Sequence, residues 1–248
     1  MNLGFPGYDS DTNMLRILKR IFYTQSSAGG YDSVPLAFLW RYCCHSVMVL
    51  LSIVGEGIPA ATLHDRVISI VPLIPVVAKY NYHLWVILYV PIAAWLWKID
   101  RRRFVQFLYA GGVVSLLRGI CIFLTTLGPV NGRDVNAGKS FSELIYGWLQ
   151  IINPVSALTT DATHMYLTKD LFFSGHTAST FLLLLYCWRF KKIRIAALIG
   201  HVLVVAVVFL SHLHYSIDVV GGWCVSFCVF VAAEKFFSLK SQPCPSPS

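Results

Sequence analysis

The sequence predicts an all-α fold: a polytopic membrane protein with six transmembrane helices. Three observations carry the prediction. The 248 residues are 56% hydrophobic and only 13% charged, about half the charged share of an ordinary soluble domain. The mean hydropathy is +0.63. Six apolar runs approach the roughly 20 residues that a bilayer-crossing helix needs. They lie near Val34–Val54, Tyr80–Trp97, Phe104–Leu127, Leu171–Phe190, Ile193–Ser211 and Ser216–Phe237, with Pro91 interrupting the second.

The first run is preceded by residues 1–33, a polar segment without the apolar core of a signal peptide. The region 34–237 reads as one six-span catalytic domain. Residues 238–248, ending in SQPCPSPS, read as a disordered tail. The net charge of +8 sits between the apolar runs, so it points to membrane orientation and not to nucleic acid. Arg16, Lys19 and Arg20, then Lys98 and Arg101–Arg103, then Arg189, Lys191, Lys192 and Arg194, then Lys235 and Lys240 mark alternate connections. Both termini are therefore expected in the cytoplasm, and the loop 128–170 on the opposite side. Six of the seven cysteines lie in apolar runs and none forms a CxxC, so no disulfide framework or thiolate metal site is indicated.

Two stretches break the apolar pattern. The fourth run opens with KDLFFSGHTAST (169–180) and the sixth with SHLHYSIDVVGG (211–222). Polar groups there are costly and mark function. The fourth span descends from the side on which the sixth begins, so His176, about 7.5 Å of helix beyond Leu171, comes to the depth of His214 and Asp218. His214 and Asp218 are four residues apart and share a face if both lie in a helical turn. The carboxylate can then hold one imidazole nitrogen and leave the other as nucleophile or base, while His176 protonates a leaving group. Ser174 suits a helix cap, and Gly175 lets an anionic oxygen approach backbone N–H groups. Arg118, well inside the third span, must face the bundle or a wet cavity. It either holds a phosphate or pairs with Asp218 or another carboxylate. Tyr215 and Asp170, inside the two motifs, are further candidates for substrate contact.

Other features carry less. His201 reads as a buried hydrogen-bonded histidine, His212 is off the face of Asp218, and His45 and His83 lack partner motifs. Gly111, Ser115 and Gly119 recur every four residues as a helix-packing face. GRDVNAGKS has one residue too many for a phosphate-binding Walker loop. The His-Leu-His run with Asp218 lacks a metal-ligand set, so no metal and no soluble cofactor are expected. FSELIYGWLQII (141–152) is amphipathic and suits a helix lying flat at the interface, as a lid or as a covering loop. Glu143 and Asp161 are candidate bases for an acceptor hydroxyl.

DLFFSGHTAST together with HYSIDVV resembles the sphingomyelin synthase family, a branch of the type-2 phosphatidic acid phosphatase superfamily. RRRFVQFL with LLRGICIFLTTLGP, and LHDRVISIVP, resemble its regions along span three and after span one. The resemblance implies a PAP2-like six-span core. It implies transfer of a phospho-head group from a glycerophospholipid donor to a ceramide-type acceptor, with the site on the luminal or extracytoplasmic side. The membrane would be Golgi or plasma membrane in a eukaryote and inner membrane in a bacterium. The partners are membrane lipids and not nucleic acid, and a homo-oligomer is compatible with the pattern. The superfamily's phosphatases carry Lys-x6-Arg-Pro and an arginine six residues before the second histidine. This chain has neither, with Val208 at the latter position. Lipid phosphate hydrolysis and non-catalytic lipid binding are the alternatives.

Overall fold

The computed structural model describes residues 33–130, 132, 134, 136, 138–153, 155–156 and 167–240. The N-terminal segment with Arg16, Lys19 and Arg20, the candidate base Asp161, Arg133 and the tail beyond 240 lie outside the described residues. Eight described helices follow in order, and the described residues contain no strand. They are α1 (Val34–Glu56), α2 (Arg66–Ile70), α3 (Pro75–Ile99), α4 (Arg101–Thr125), α5 (Phe141–Ile152), α6 (Gly175–Cys187), α7 (Lys191–Leu210) and α8 (Ser216–Lys240). Five of them, α1, α3, α4, α7 and α8, are long and apolar enough to cross a bilayer.

Each long helix begins on a recognisable signal. Ser33 caps α1, with Pro35 in its first turn, and Pro75 opens α3. Asp100 caps α4 by accepting from Arg103 N at 2.9 Å. Pro91 does not end α3, which runs through it for 25 residues and starts five residues earlier than the sequence suggests. Membrane helices accommodate an internal proline through neighbouring helices and small local adjustments that satisfy the freed carbonyl.

The fourth span differs from expectation. The apolar run from Leu171 becomes helical only at Gly175, and α6 has 13 residues, about 20 Å of rise against a hydrocarbon core of about 30 Å. Ser174 sets the later start: its side chain accepts from Thr177 N at 3.3 Å. The short helix is the centre of the bundle. Ala178, Leu182–Tyr186 and Cys187 pack among Phe104–Val114 of α4, Ile193 and Ala197 of α7, and Val229 and Phe230 of α8. It is a core helix covered by longer ones, so its length need not match the bilayer.

The small residues of α4 do hold helices close. A side chain on Gly119 would press on Met48 Cα at 2.8 Å, and one on Gly112 would run into the Trp40 indole. At the arginine-rich end, Arg103 pairs with Glu234 at 3.1 Å and donates to Tyr186 O, and Arg189 pairs with Asp100. These pairs tie the ends of α3, α4, α6 and α8 together.

Helix α5 does not lie flat. Trp148 Nε1 donates to Ser46 O at 3.0 Å, and the Tyr42 hydroxyl donates to Ile152 O at 3.2 Å. The helix therefore runs antiparallel along α1, burying Leu144 and Ile151 against Met48, Val49 and Ile53.

Candidate active site

The site is built where α6 and α8 begin. Ser174 N donates to Asp218 O at 3.0 Å, which joins the two helix starts directly. Close approach requires the glycine pair of α8. A Cβ at Gly222 would stand 3.1 Å from Ser174 O, and one at Gly221 would stand 2.9 Å from the Phe172 ring. Further along, Ser226 Oγ donates to Ala178 O at 3.0 Å.

This stitching brings His176 and His214 together with ring centroids 6.4 Å apart at 60°. His214 Nδ1 lies 3.5 Å from Asp218 Oδ2, and both side chains are buried, with Asp218 at 0% exposure. The pair is not the helical i, i+4 pair that the spacing suggests, because α8 begins at Ser216 and His214 precedes it. Instead Asp218 reaches back to cap the helix: Oδ2 accepts from Tyr215 N at 2.9 Å. The same reach, an acid at the third helical position bonding the N-cap amide, carries the carboxylate to the ring of the residue before. Asp218 Oδ1 is buried with no hydrogen-bond partner among the described residues. At 3.5 Å the imidazole–carboxylate contact is looser than a working hydrogen bond, a separation that tightens in substrate complexes of such pairs.

Arg118 sits beneath the start of α6. Its Nε donates to Phe173 O at 2.7 Å, Nη2 to Asp170 O at 3.0 Å, and Nη1 faces Met48 Sδ at 3.2 Å. Nη2 also pairs with Asp170 Oδ1 at 2.6 Å. Of the two roles open from the sequence, the geometry is that of pairing with a carboxylate, and that carboxylate is Asp170. The guanidinium fastens residues 170–173, the lead-in to the Ser-Gly-His turn. Gly175 has its reason here: a Cβ would meet Arg118 Nε at 3.0 Å and Cζ at 3.2 Å, so only glycine lets the arginine lie against the turn.

Tyr215 is buried, and its hydroxyl is committed to the backbone. It donates to Gly128 O at 2.9 Å and accepts from Leu63 N at 3.1 Å. It pins the segments after α1 and α4 over the start of α8. Asp65 does the same from the other side. Its Oδ1 caps α2 through Val67 N and Ile68 N, and its Oδ2 accepts from Ser216 N. Partial burial works against its charge, but the N–H and hydroxyl of Ser216 and the two cap amides outweigh it, holding the carboxyl below the usual aspartate value.

A second lock lies beside this one. Glu56, at the end of α1, accepts from Thr168 N, Thr168 Oγ1, Lys169 N and Asn136 Nδ2 at 2.6–2.9 Å. Lys169 Nζ donates to Glu56 O and Ile58 O and pairs with Asp134 at 2.8 Å. The charged pair opening the fourth motif is therefore used twice, Lys169 on Asp134 and Asp170 on Arg118.

From α3, Trp85 presents its ring to His176 with centroids 5.6 Å apart and donates to Ser179 Oγ at 3.2 Å. Tyr89 stacks on Trp85 at 4.8 Å. Nothing in the spacing of an apolar span distinguished these two rings from lipid-facing ones. His201 is bonded at both nitrogens: Trp223 Nε1 donates to Nε2 at 2.9 Å, and Nδ1 lies 2.9 Å from Thr180 Oγ1, which also contacts His176 O. His212 Nε2 faces Val71 O at 2.9 Å, away from Asp218's ring partner. Glu143 is exposed and closes the capping box of α5 with Ser140, whose hydrogen bonds hold its carboxyl below the usual glutamate value. Among the described residues no three His, Cys, Asp or Glu side chains converge as metal ligands.

The arrangement can do one kind of chemistry well. Two imidazoles with centroids 6.4 Å apart leave room for one phosphoryl group, with reacting atoms at about 3–3.5 Å from each. One ring is oriented by a carboxylate, and the first-turn amides of α6 supply donors for its oxygens. No curated protein matches the chain. Residues 169–235, which hold both histidine motifs, match the family model PAP2_C, the PAP2 superfamily C-terminal domain, and this supports placement in that superfamily and phosphoryl transfer or hydrolysis on lipids.

Proposed function

We propose that the protein transfers a phospho-head group from a glycerophospholipid to the hydroxyl of a ceramide-type lipid and releases diacylglycerol. In the first step His214 Nε2 attacks phosphorus and the bond to the diacylglycerol oxygen breaks. His176 gives its proton to that oxygen. In the second step the acceptor hydroxyl attacks the phospho-histidine, His176 takes the hydroxyl proton, and the P–N bond breaks to regenerate His214. Asp218 holds the His214 ring and stabilises its positive charge.

The observation that carries this reading is that the two cations at the level of the histidine motifs are both spent on carboxylates. Arg118 is neutralised by Asp170 and Lys169 by Asp134. A phosphate monoester brings close to two negative charges and needs unspent cations. A phosphodiester brings one and is served by helix-start amides and an imidazolium. The position where the phosphatases carry an arginine holds Val208, fully buried in the packing of α7. The chemistry would face the luminal or extracytoplasmic side, as the lysine and arginine pattern implies.

The test is a reconstituted assay. Purified protein in liposomes receives labelled ceramide with phosphatidylcholine, phosphatidylethanolamine or phosphatidylinositol, and a parallel sample receives phosphatidic acid. A phospho-ceramide product formed in step with diacylglycerol is expected from at least one donor. Rapid phosphate release from phosphatidic acid, with no phospho-ceramide from any donor, would replace transfer by hydrolysis.

A further inference from the structure

Arg41 lies seven residues into α1, inside a span, and no carboxylate among the described residues meets it. The described acids are all placed elsewhere: Glu56 on Thr168 and Lys169, Asp65 on Ser216, Asp100 on Arg189, Asp134 on Lys169, Glu143 on Ser140, Asp170 on Arg118, Asp218 on His214 and Glu234 on Arg103. The hydrogen bond that Arg41 makes is from Nη1 to Ser115 Oγ at 2.5 Å. One acceptor leaves most of the five guanidinium N–H donors unused. An arginine well inside a span costs roughly 2.5–3.5 kcal/mol on insertion scales, so an unspent one is expected to face something polar.

Its position says what. Nε would stand 3.2 Å from a Cβ on Gly111 of α4, a position that also neighbours Leu182 of α6. Tyr89 of α3 lies within its electrostatic reach. Tyr89 stacks on Trp85, and Trp85 meets His176. On α1 itself, His45 is one turn nearer the catalytic end and within reach of both Arg41 and Arg118. Helices α1, α4 and α6 thus meet at Arg41, and ring contacts run from nearby Tyr89 through Trp85 to His176. Helices α1 and α3, which flank it, do not pack against each other along their length, while each packs on α4. Ser115 and Gly111 precede Arg118 by three and seven residues, so Arg41 lies about 4–10 Å deeper than the arginine under the Ser-Gly-His turn.

We propose that Arg41 is a lipid-linkage subsite: its guanidinium donates hydrogen bonds to an acyl-ester carbonyl oxygen of the donor lipid, one glycerol unit below the phosphorus held at His176 and His214. The cleft between α1 and α3 is the side opening through which that lipid lies. This rests on the lipid-transfer reading. A carbonyl is the acceptor that a glycerolipid offers at this depth, below its phosphate and above its hydrocarbon.

The test compares lipids that differ only in that oxygen. Diacyl and dialkyl (ether-linked) phosphatidylcholine of equal chain length compete for the purified full chain in detergent micelles, read by native mass spectrometry and, where turnover occurs, by the ratio of KM values. The wild type is expected to favour the diacyl lipid about ten-fold, which corresponds to about 1.4 kcal/mol. Arg41→Gln should bring the ratio near one, and Arg41→Lys, which lacks the planar fork, should lower it at least three-fold. A wild-type ratio near one overturns the proposal without any variant. So does a ratio that survives in both variants, or an effect of Arg41→Gln confined to ceramide binding, which would assign the group to the acceptor's amide. The binding arm needs no turnover, so a protein that shows the ratio but makes no phospho-ceramide refutes the transferase reading and leaves the subsite standing.

Discussion

Replacing Arg118 by methionine removes four contacts and one charge from the segment that leads into the Ser-Gly-His turn. The guanidinium and the Asp170 carboxylate are 8% and 15% exposed, so the pair is largely withdrawn from solvent. Breaking a buried pair by deleting one member costs about 3–5 kcal/mol, because the other charge is left uncompensated. Asp170 keeps some access, which places the expectation near about 3 kcal/mol. For a chain of this size that lowers the melting temperature by about 6–12 °C. Activity should fall with it, since residues 170–173 lose their anchor and the His176 turn loosens. Adding Asp170→Asn removes the orphaned charge, so the double variant should recover about half of the lost stability and part of the activity, with a clear coupling energy between the two sites. The measurements are detergent melting curves and initial rates for the wild type, both single variants and the double. If Arg118→Met kept the wild-type melting temperature yet lost activity, and Asp170→Asn restored nothing, the arginine would be a phosphate ligand and its anchoring role would be refuted.

Two further expectations follow from the same geometry. His176→Ala should cost about 10²–10⁴-fold in rate as loss of the general acid, and His214→Ala and Asp218→Ala should be at least as severe. The three losses should not add in combined variants, because the groups act as one unit; wild-type turnover in any of the three would remove the mechanism. Asp65 has a lowered folded pKa, so its contribution is full above the ordinary aspartate value of about 3.9 and is lost as pH falls through the lower folded value. Melting curves from pH 7 down to pH 3 should show Asp65→Asn less stable near neutrality and flatter below about pH 4. The same slope in both proteins would mean that the bond to Ser216 does not depend on the charge.

The two histidine motifs were legible because ionisable residues stand out at the head of an apolar run, and orientation with helix rise put them at one depth. The local geometry was less so. The i, i+4 spacing of His214 and Asp218 suggests a shared helical face, yet the chain uses Asp218 as a reach-back cap and leaves His214 in the turn before α8. A capping acid and a helix-face acid have the same spacing, so sequence cannot separate them. Ser174 was legible as a cap, but the apolar character of Leu171–Phe173 placed the helix start too early. Those residues stay outside the helix because Arg118, 52 and 55 residues away, takes the carbonyls of Asp170 and Phe173. Arg41 carried the plainest signal that went unread, a cation seven residues into a span. Glu56 carried another, an acid at a span's end whose partners lie more than 75 residues on. Trp85 and Tyr89 carried none, since aromatic residues in an apolar helix look alike whether they face lipid or a histidine.

The depth of the catalytic layer bears on the choice between water and a lipid hydroxyl as acceptor. Arg118 lies against Gly175 and seven residues before the end of α4 at Thr125, so the turn carrying His176 is about 10 Å below that helix end. Above it, bonds made across long separations tie the described segments together. Tyr215 ties Leu63 to Gly128, Asp65 ties α2 to Ser216, and Glu56 gathers Asn136, Thr168 and Lys169. Most of these bonds run to backbone groups and all are buried or partly buried, the kind of contact that holds a roof in place. A roof over a recessed site would hinder water arriving from above, while α1 and α3 each pack on α4 and not along one another. Under the proposed transfer, a phospho-histidine formed there would meet a membrane-borne hydroxyl more readily than bulk water. Trp85 stands edge to face with His176, where the proposed lipid acceptor would pass on its way to that ring.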